Sequence, residues 1–109
     1  MTQFLVLLVG KPPAVGAQDA VTREYNAKWM AWMGDLAASG ALRGGAPLVW
    51  GGRTVAKESV TPLEMQSMDV GGYLVIEAAS AEAVAEILQS SPSIQIGGEA
   101  IIRECVPVG

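Results

Sequence analysis

The sequence predicts an α+β domain: an antiparallel sheet with two helices on one face, in the order β-α-β-(hairpin)-β-α-β. Three observations predict it. Residues 3–9 (QFLVLLV) and 72–78 (GYLVIEA) are short, nearly continuous apolar runs of strand length. Each leads into a capped stretch with helical period, one opening at Asp19 and one at Ser80. After each helix stands another extended stretch, 41–50 and 99–108. Two βαβ halves with a hairpin between them make the split βαβ pattern of a ferredoxin-like fold.

The elements follow in order. The first strand stops at Gly10-Lys11-Pro12-Pro13, and 10–18 reads as a loop rich in Pro and Gly. The Asp19 carboxylate can accept orphan backbone N–H groups and so cap a helix running through Ser39. On it Tyr25, Trp29, Trp32 and Leu36 mark one face, which Met30, Met33 and Ala37 widen. Gly40 sits where a left-handed residue is expected just past the helix end. Ala41 and Leu42 open a second strand, interrupted by Gly44-Gly45 and continued by 47–50 (PLVW). Gly51-Gly52 signals a hairpin, with 53–57 (RTVAK) returning. Residues 58–68 read as a polar excursion. In the second helix Ala81, Val84, Ala85 and Leu88 form the inward stripe, with Glu82 and Glu86 outward, and Ser90-Ser91-Pro92 ends it. In 99–108 (EAIIRECVPV) Ile102, Glu104 and Val106 share one face, and Ile101, Arg103 and Cys105 the other.

With both helices on one face, the other face would meet water and should alternate polar with apolar residues. The runs at 3–9 and 72–78 show almost no such alternation. A second copy is expected to cover that face. Two sheets packed across a two-fold axis then form a dimeric αβ-barrel, a homodimer through the sheet faces.

Composition narrows the function. The 109 residues fit a single domain, 1–109, and half of them are hydrophobic, enough for a core without staples. The one cysteine, Cys105, cannot form an intramolecular disulfide, which points to a reducing, cytoplasmic setting. The apolar run at 4–9 is six residues long with no basic flank, so neither a signal peptide nor a membrane span is expected. The net charge is −4 and the seven Lys and Arg are scattered, against a nucleic-acid partner. With no His at all, His-based acid–base chemistry and His metal sites are excluded, and no metal or cofactor is expected.

The residues also resemble a known family, the YCII-related proteins, in particular the branch named for a DGPF motif. Residues 29–48 (WMAWMGDLAASGALRGGAPL) resemble its aromatic-M-A…L…A-G-x-L…G-x-P-L segment. Gly71-Gly72-Tyr73 resembles its G-G-Y-Y strand, and Pro92, Gly97-Gly98 and 101–103 (IIR) its P…G-G…E-V-R ending. The matches keep order and spacing over almost the whole chain. The resemblance implies the ferredoxin-like αβ-barrel dimer and a pocket. The DGPF tetrapeptide falls on Val60-Thr61-Pro62-Leu63, where only the proline is kept. The family's other branch carries a helix His and a later Asp, proposed as a catalytic pair. By spacing those positions hold Trp29 and Ser91.

Candidate pocket residues are Trp29, Trp32, Trp50, Tyr73 and Arg103. Trp29 and Trp32 fit either core packing or the aromatic wall of a pocket between helix one, the sheet and the 50–70 loop. Trp50, before a Gly-Gly turn, fits core, pocket rim or dimer contact. Arg103 stands mid-strand on an apolar face, so it needs a partner; Glu77 is a candidate, or a ligand carboxylate held in its planar fork. Asp69 suits a turn anchor and Cys105 lacks an activating base. Two functions follow: a small-molecule-binding or accessory module, and, as the alternative, an enzyme acting on a small, largely apolar substrate without His or metal. A purely structural or interaction domain stays open beside them.

Overall fold

The apolar run at the N-terminus forms β1 (Thr2–Val9) in the computed structural model, which describes residues 1–12 and 19–108. There follow α1 (Ala20–Ala38), β2 (Leu42–Pro47), β3 (Arg53–Ala56), β4 (Ser59–Pro62), β5 (Val70–Ala78), α2 (Ala81–Gln89), α3 (Pro92–Gln95) and β6 (Glu99–Glu104). The four main strands lie in the order β2-β5-β1-β6 with antiparallel pairing throughout, and β3 and β4 form a separate two-stranded sheet. This is the ferredoxin-like arrangement that the element order predicts. The rest of the predicted first loop, 13–18, lies outside the described residues.

The pleat sorts the strands. Phe4 opposes Ile76 and Val6 opposes Leu74, and all four are at most 2 % exposed. Ala78, with Val84 and Leu88 of α2, completes the buried cluster. Burying one such large apolar side chain contributes about 1.5–3 kcal/mol, so this face carries the fold. Leu5, Leu7 and Val9 alternate with them and are only half-buried, because no helix among the described residues covers their side. The expectation of a first strand buried on both faces therefore holds for one face of the single chain. The result is a slab with extents of 45 × 43 × 21 Å.

Both caps form as predicted. The Thr22 backbone N–H donates to Asp19 Oδ1 (2.8 Å) and that of Ala83 to Ser80 Oγ (3.2 Å). Gly40, at φ +83°, takes the left-handed turn out of α1 that a Cβ would oppose. The apolar stripe of α1 is narrower than predicted. Tyr25, Trp29, Trp32, Met33 and Leu36 are half-buried, whereas Met30 is 73 % exposed and Ala37 is also outside.

Three expectations are corrected. First, β2 ends at Pro47, and Leu48 to Trp50 run on as loop rather than strand. Second, Gly51-Gly52 is not the hairpin turn. Residues 53–56 pair with 59–62, Arg53 opposite Pro62 and Ala56 opposite Ser59, around Lys57-Glu58. Third, the last strand stops at Glu104, although the Cys105 N–H still donates to the Gln3 carbonyl (3.0 Å). Beyond the predicted end of α2, Pro92 begins the additional single turn α3.

Candidate functional site

The main cavity opens between the sheet and the N-terminal half of α1 and has a volume of about 770 Å³. That lies within the range of small-molecule sites, about 300–1,000 Å³. Trp29, Tyr25, Met30 and Met33 of α1 form one wall; Leu8 and Leu74 of the sheet form the opposite one. Its ends are made by two loops. One is the Gly10–Lys11–Pro12 segment; the other is the stretch from Ser93 to Gly98.

Helix spacing sets the α1 wall. Tyr25 and Trp29 are one turn apart and meet edge to face, with ring centroids 6.5 Å apart and planes at 81°. Trp29 and Trp32 repeat this at 5.4 Å and 87°. The two tryptophans then part company. Trp32 turns toward α2, where its indole N–H donates to Ser90 Oγ (2.9 Å), and it does not line the cavity. Trp29 packs on the core and also borders the cavity.

The sheet end of the cavity depends on two glycines. The pairing of β1 with β5 slips between Leu8 and Val9, leaving Gly71 as an extra residue on β5. A Cβ on Gly71 would overlap the Gly10 carbonyl oxygen and lie 2.7 Å from Pro12 Cδ. The Gly10 N–H donates to the Asp69 carbonyl (2.8 Å). The loop that carries Lys11 is thus pressed directly on β5. Asp69 anchors the adjoining turn as expected, but by accepting from the Gln66 N–H three residues back (2.6 Å).

Of the other predicted pocket residues, Tyr73 borders the cavity, although the strand pleat turns its ring to the side of Leu7 and Val75. Trp50 and Arg103 do not line it. Arg103 is exposed on β6 opposite Leu5, so it is not the buried guanidinium the sequence suggested. Its predicted pairing with Glu77 is also corrected. β1 stands between β5 and β6, and Glu77 Oε2 takes Arg43 Nε instead (3.1 Å). The 50–70 stretch does not wall the main cavity. It forms a second hollow of about 460 Å³, lined by Leu48, Val49, Gly51, Leu63, Met65, Asp69 and Val70. Lys11, Tyr25, Met33 and the 93–98 turn were not among the sequence candidates. Of these, Tyr25 and Met33 were visible as members of the α1 stripe.

The two positions aligned with the other branch's His and Asp are far apart in character. Trp29 borders the cavity. Ser91 is wholly buried at the start of α3, and its hydroxyl has no hydrogen-bond partner among the described residues.

Among the described residues no helix is long and apolar enough to cross a membrane. No curated protein matches the chain. Among solved structures the chain is similar to 5-chloro-2-hydroxyhydroquinone dehydrochlorinase from Burkholderia phenoliruptrix AC1100, solved in complex with 2,5-dihydroxybenzoquinone. The TM-score is 0.61 at 20 % identity, over 95 % of this chain and 93 % of that one, a likeness of fold. The YCII-related domain matches residues 2–106, and the chain belongs to the YCII-related family.

Proposed function

We propose that the protein binds a small, largely apolar molecule in the cavity between α1 and the Gly71–Gly72 end of β5, as a small-molecule-binding or accessory module. The observation that supports this is the lining. Trp29, Tyr25, Met30, Met33, Leu8 and Leu74 surround a space of about 770 Å³ with mainly apolar walls. Apolar walls with a few polar groups are what a pocket for a small organic molecule needs. The working form is a homodimer through the uncovered sheet face, where Leu5, Leu7, Val75 and Ile101 give an apolar surface that water would otherwise meet. Its setting is the cytoplasm, where Cys105 stays reduced.

A thermal-shift panel of small aromatic compounds tests this. A ligand that binds only the folded state, at a hundred times its Kd, stabilises by about 2.7 kcal/mol. Several members should raise the melting temperature of the wild type and fail to raise that of Trp29→Ala. A panel that leaves the wild type unmoved contradicts the reading.

The second reading is an enzyme acting on a small, largely apolar substrate without His or metal. The observation favouring it is the likeness to the dehydrochlorinase, whose structure holds a small ring compound. Mass spectrometry of binders recovered after incubation separates the two: unchanged compound supports a binding module, and a converted one supports the enzyme.

A further inference from the structure

We infer that the molecule this cavity takes is a flat aromatic ring carrying one anionic oxygen group, a carboxylate or an ionised phenol, with the charge met by Lys11. The inference rests on the reading of the cavity as a binding site and adds the chemical class of its ligand.

The charge distribution carries it. Among the described residues lining the cavity, Lys11 is the only charged side chain, and no carboxylate joins it. This is a local departure from a chain with 11 acidic residues against seven basic ones. Among the described residues Lys11 is in no ion pair. The ion pairs among the described residues are Glu24–Lys28 and Arg43–Glu77. Asp19, the first acid after Lys11 in sequence, has its carboxylate on the Thr22 N–H. Asp69, bonded to the same loop through Gly10, has its carboxylate on the Gln66 N–H. Glu99 stands opposite Val9 but does not line the cavity.

Position and shape add to this. Lys11 is exposed while bordering the cavity, so it stands at the rim, where a long stem can lie along an apolar wall with its head in water. Its backbone is held by the Gly10 N–H on Asp69 and by the contact of Gly10 and Pro12 with Gly71. Behind it the walls are the edge-to-face pair Tyr25 and Trp29, with Met30 and Met33. Aromatic and thioether surfaces favour a ring over an aliphatic chain of the same size. Asn26 also lines the cavity and supplies an amide for a second polar substituent.

Calorimetric titration with three probes tests the class: 1-naphthoate, its neutral counterpart 1-naphthamide, and acetate. Naphthoate should bind about tenfold more tightly than naphthamide, as a charge-assisted hydrogen bond provides, and acetate should give no detectable heat. Lys11→Met keeps the stem and removes the charge. It should abolish the tenfold preference while naphthamide binding persists, and added salt should erode the preference in the wild type only. Equal binding of the two naphthyl probes, or a preference that survives Lys11→Met, overturns the inference and leaves the cavity reading standing. Heat from acetate equal to that from naphthoate overturns the aromatic part. If neither naphthyl probe binds, the cavity reading and the inference fall together.

Discussion

The Gly10 carbonyl oxygen lies against the Cα of Gly71, so closely that no side chain fits between them. This approach presses the segment that carries Lys11 against β5. Gly71→Ala should therefore destabilise the protein by about 2–3 kcal/mol, the upper part of the range for overpacking, because the obstacle is backbone. Gly72→Ala meets its neighbours at 3.3–3.5 Å and should cost less. Urea denaturation of the two variants checks the order. A Gly71→Ala protein as stable as wild type would show that the loop is not pressed on the strand.

Much of this arrangement is legible in the sequence, and what is not has physical reasons. Asp19, Ser80 and Gly40 act through bonds within four residues of themselves, so local chemistry reveals them. The β3–β4 hairpin is not legible in sequence because Lys57-Glu58 carries no turn signature, whereas Gly51-Gly52 does. The turn at α3 is too short to show a period. Trp29 was legible as a large residue on an apolar stripe, and Tyr73 as part of a strand beside Gly-Gly. Lys11 was not, because the cavity joins the first loop to the 93–98 turn, segments some eighty residues apart in sequence. The Arg103–Glu77 pairing failed on strand order, since neither side chain reveals that β1 lies between them.

Asp19 makes stability depend on pH. Its carboxylate accepts the Thr22 backbone N–H, and that bond, followed by the Thr22 side-chain bond, holds its pKa below the ordinary 3.8. A folded-state pKa below the unfolded one gives stability that is fully present above 3.8 and lost as pH falls through the lower folded value. Asp19→Ala should melt below the wild type at neutral pH, and the gap should close as pH falls below 3.8. Melting curves across pH 2–7 read this out; a gap constant with pH would contradict the cap.

Two serines eleven residues apart should respond oppositely. Ser80 Oγ caps α2, so Ser80→Ala should cost about 1 kcal/mol. Ser91 Oγ is buried without a partner among the described residues, and an unsatisfied buried hydroxyl costs about 1–3 kcal/mol. Ser91→Ala should therefore be neutral or stabilising by up to about 1 kcal/mol. Equilibrium unfolding decides, and a loss above about 1 kcal/mol at Ser91 would mean its hydroxyl is bonded in solution.

Adjacent residues of β1 separate the core from the proposed dimer face. Val6 is fully buried against Leu74, whereas Leu7 lies on the uncovered face beside Ile101. Val6→Lys should fail to fold, because an unpaired charge would sit in the core. Leu7→Lys should fold and give a monomer mass by light scattering, with the wild type giving twice that mass. A wild type that is monomeric at micromolar concentration would contradict the homodimer.

The cavity itself is tested most directly by the indole N–H signals of the three tryptophans, followed by ¹H–¹⁵N NMR during titration with 1-naphthoate. Trp29 borders the cavity, Trp32 is tied to Ser90, and Trp50 lies outside it. The predicted result is movement of the Trp29 signal and of the Gly72 and Leu74 amides, with Trp50 unmoved. Movement of Trp50 and the Arg103 amide while Trp29 stays fixed would contradict it.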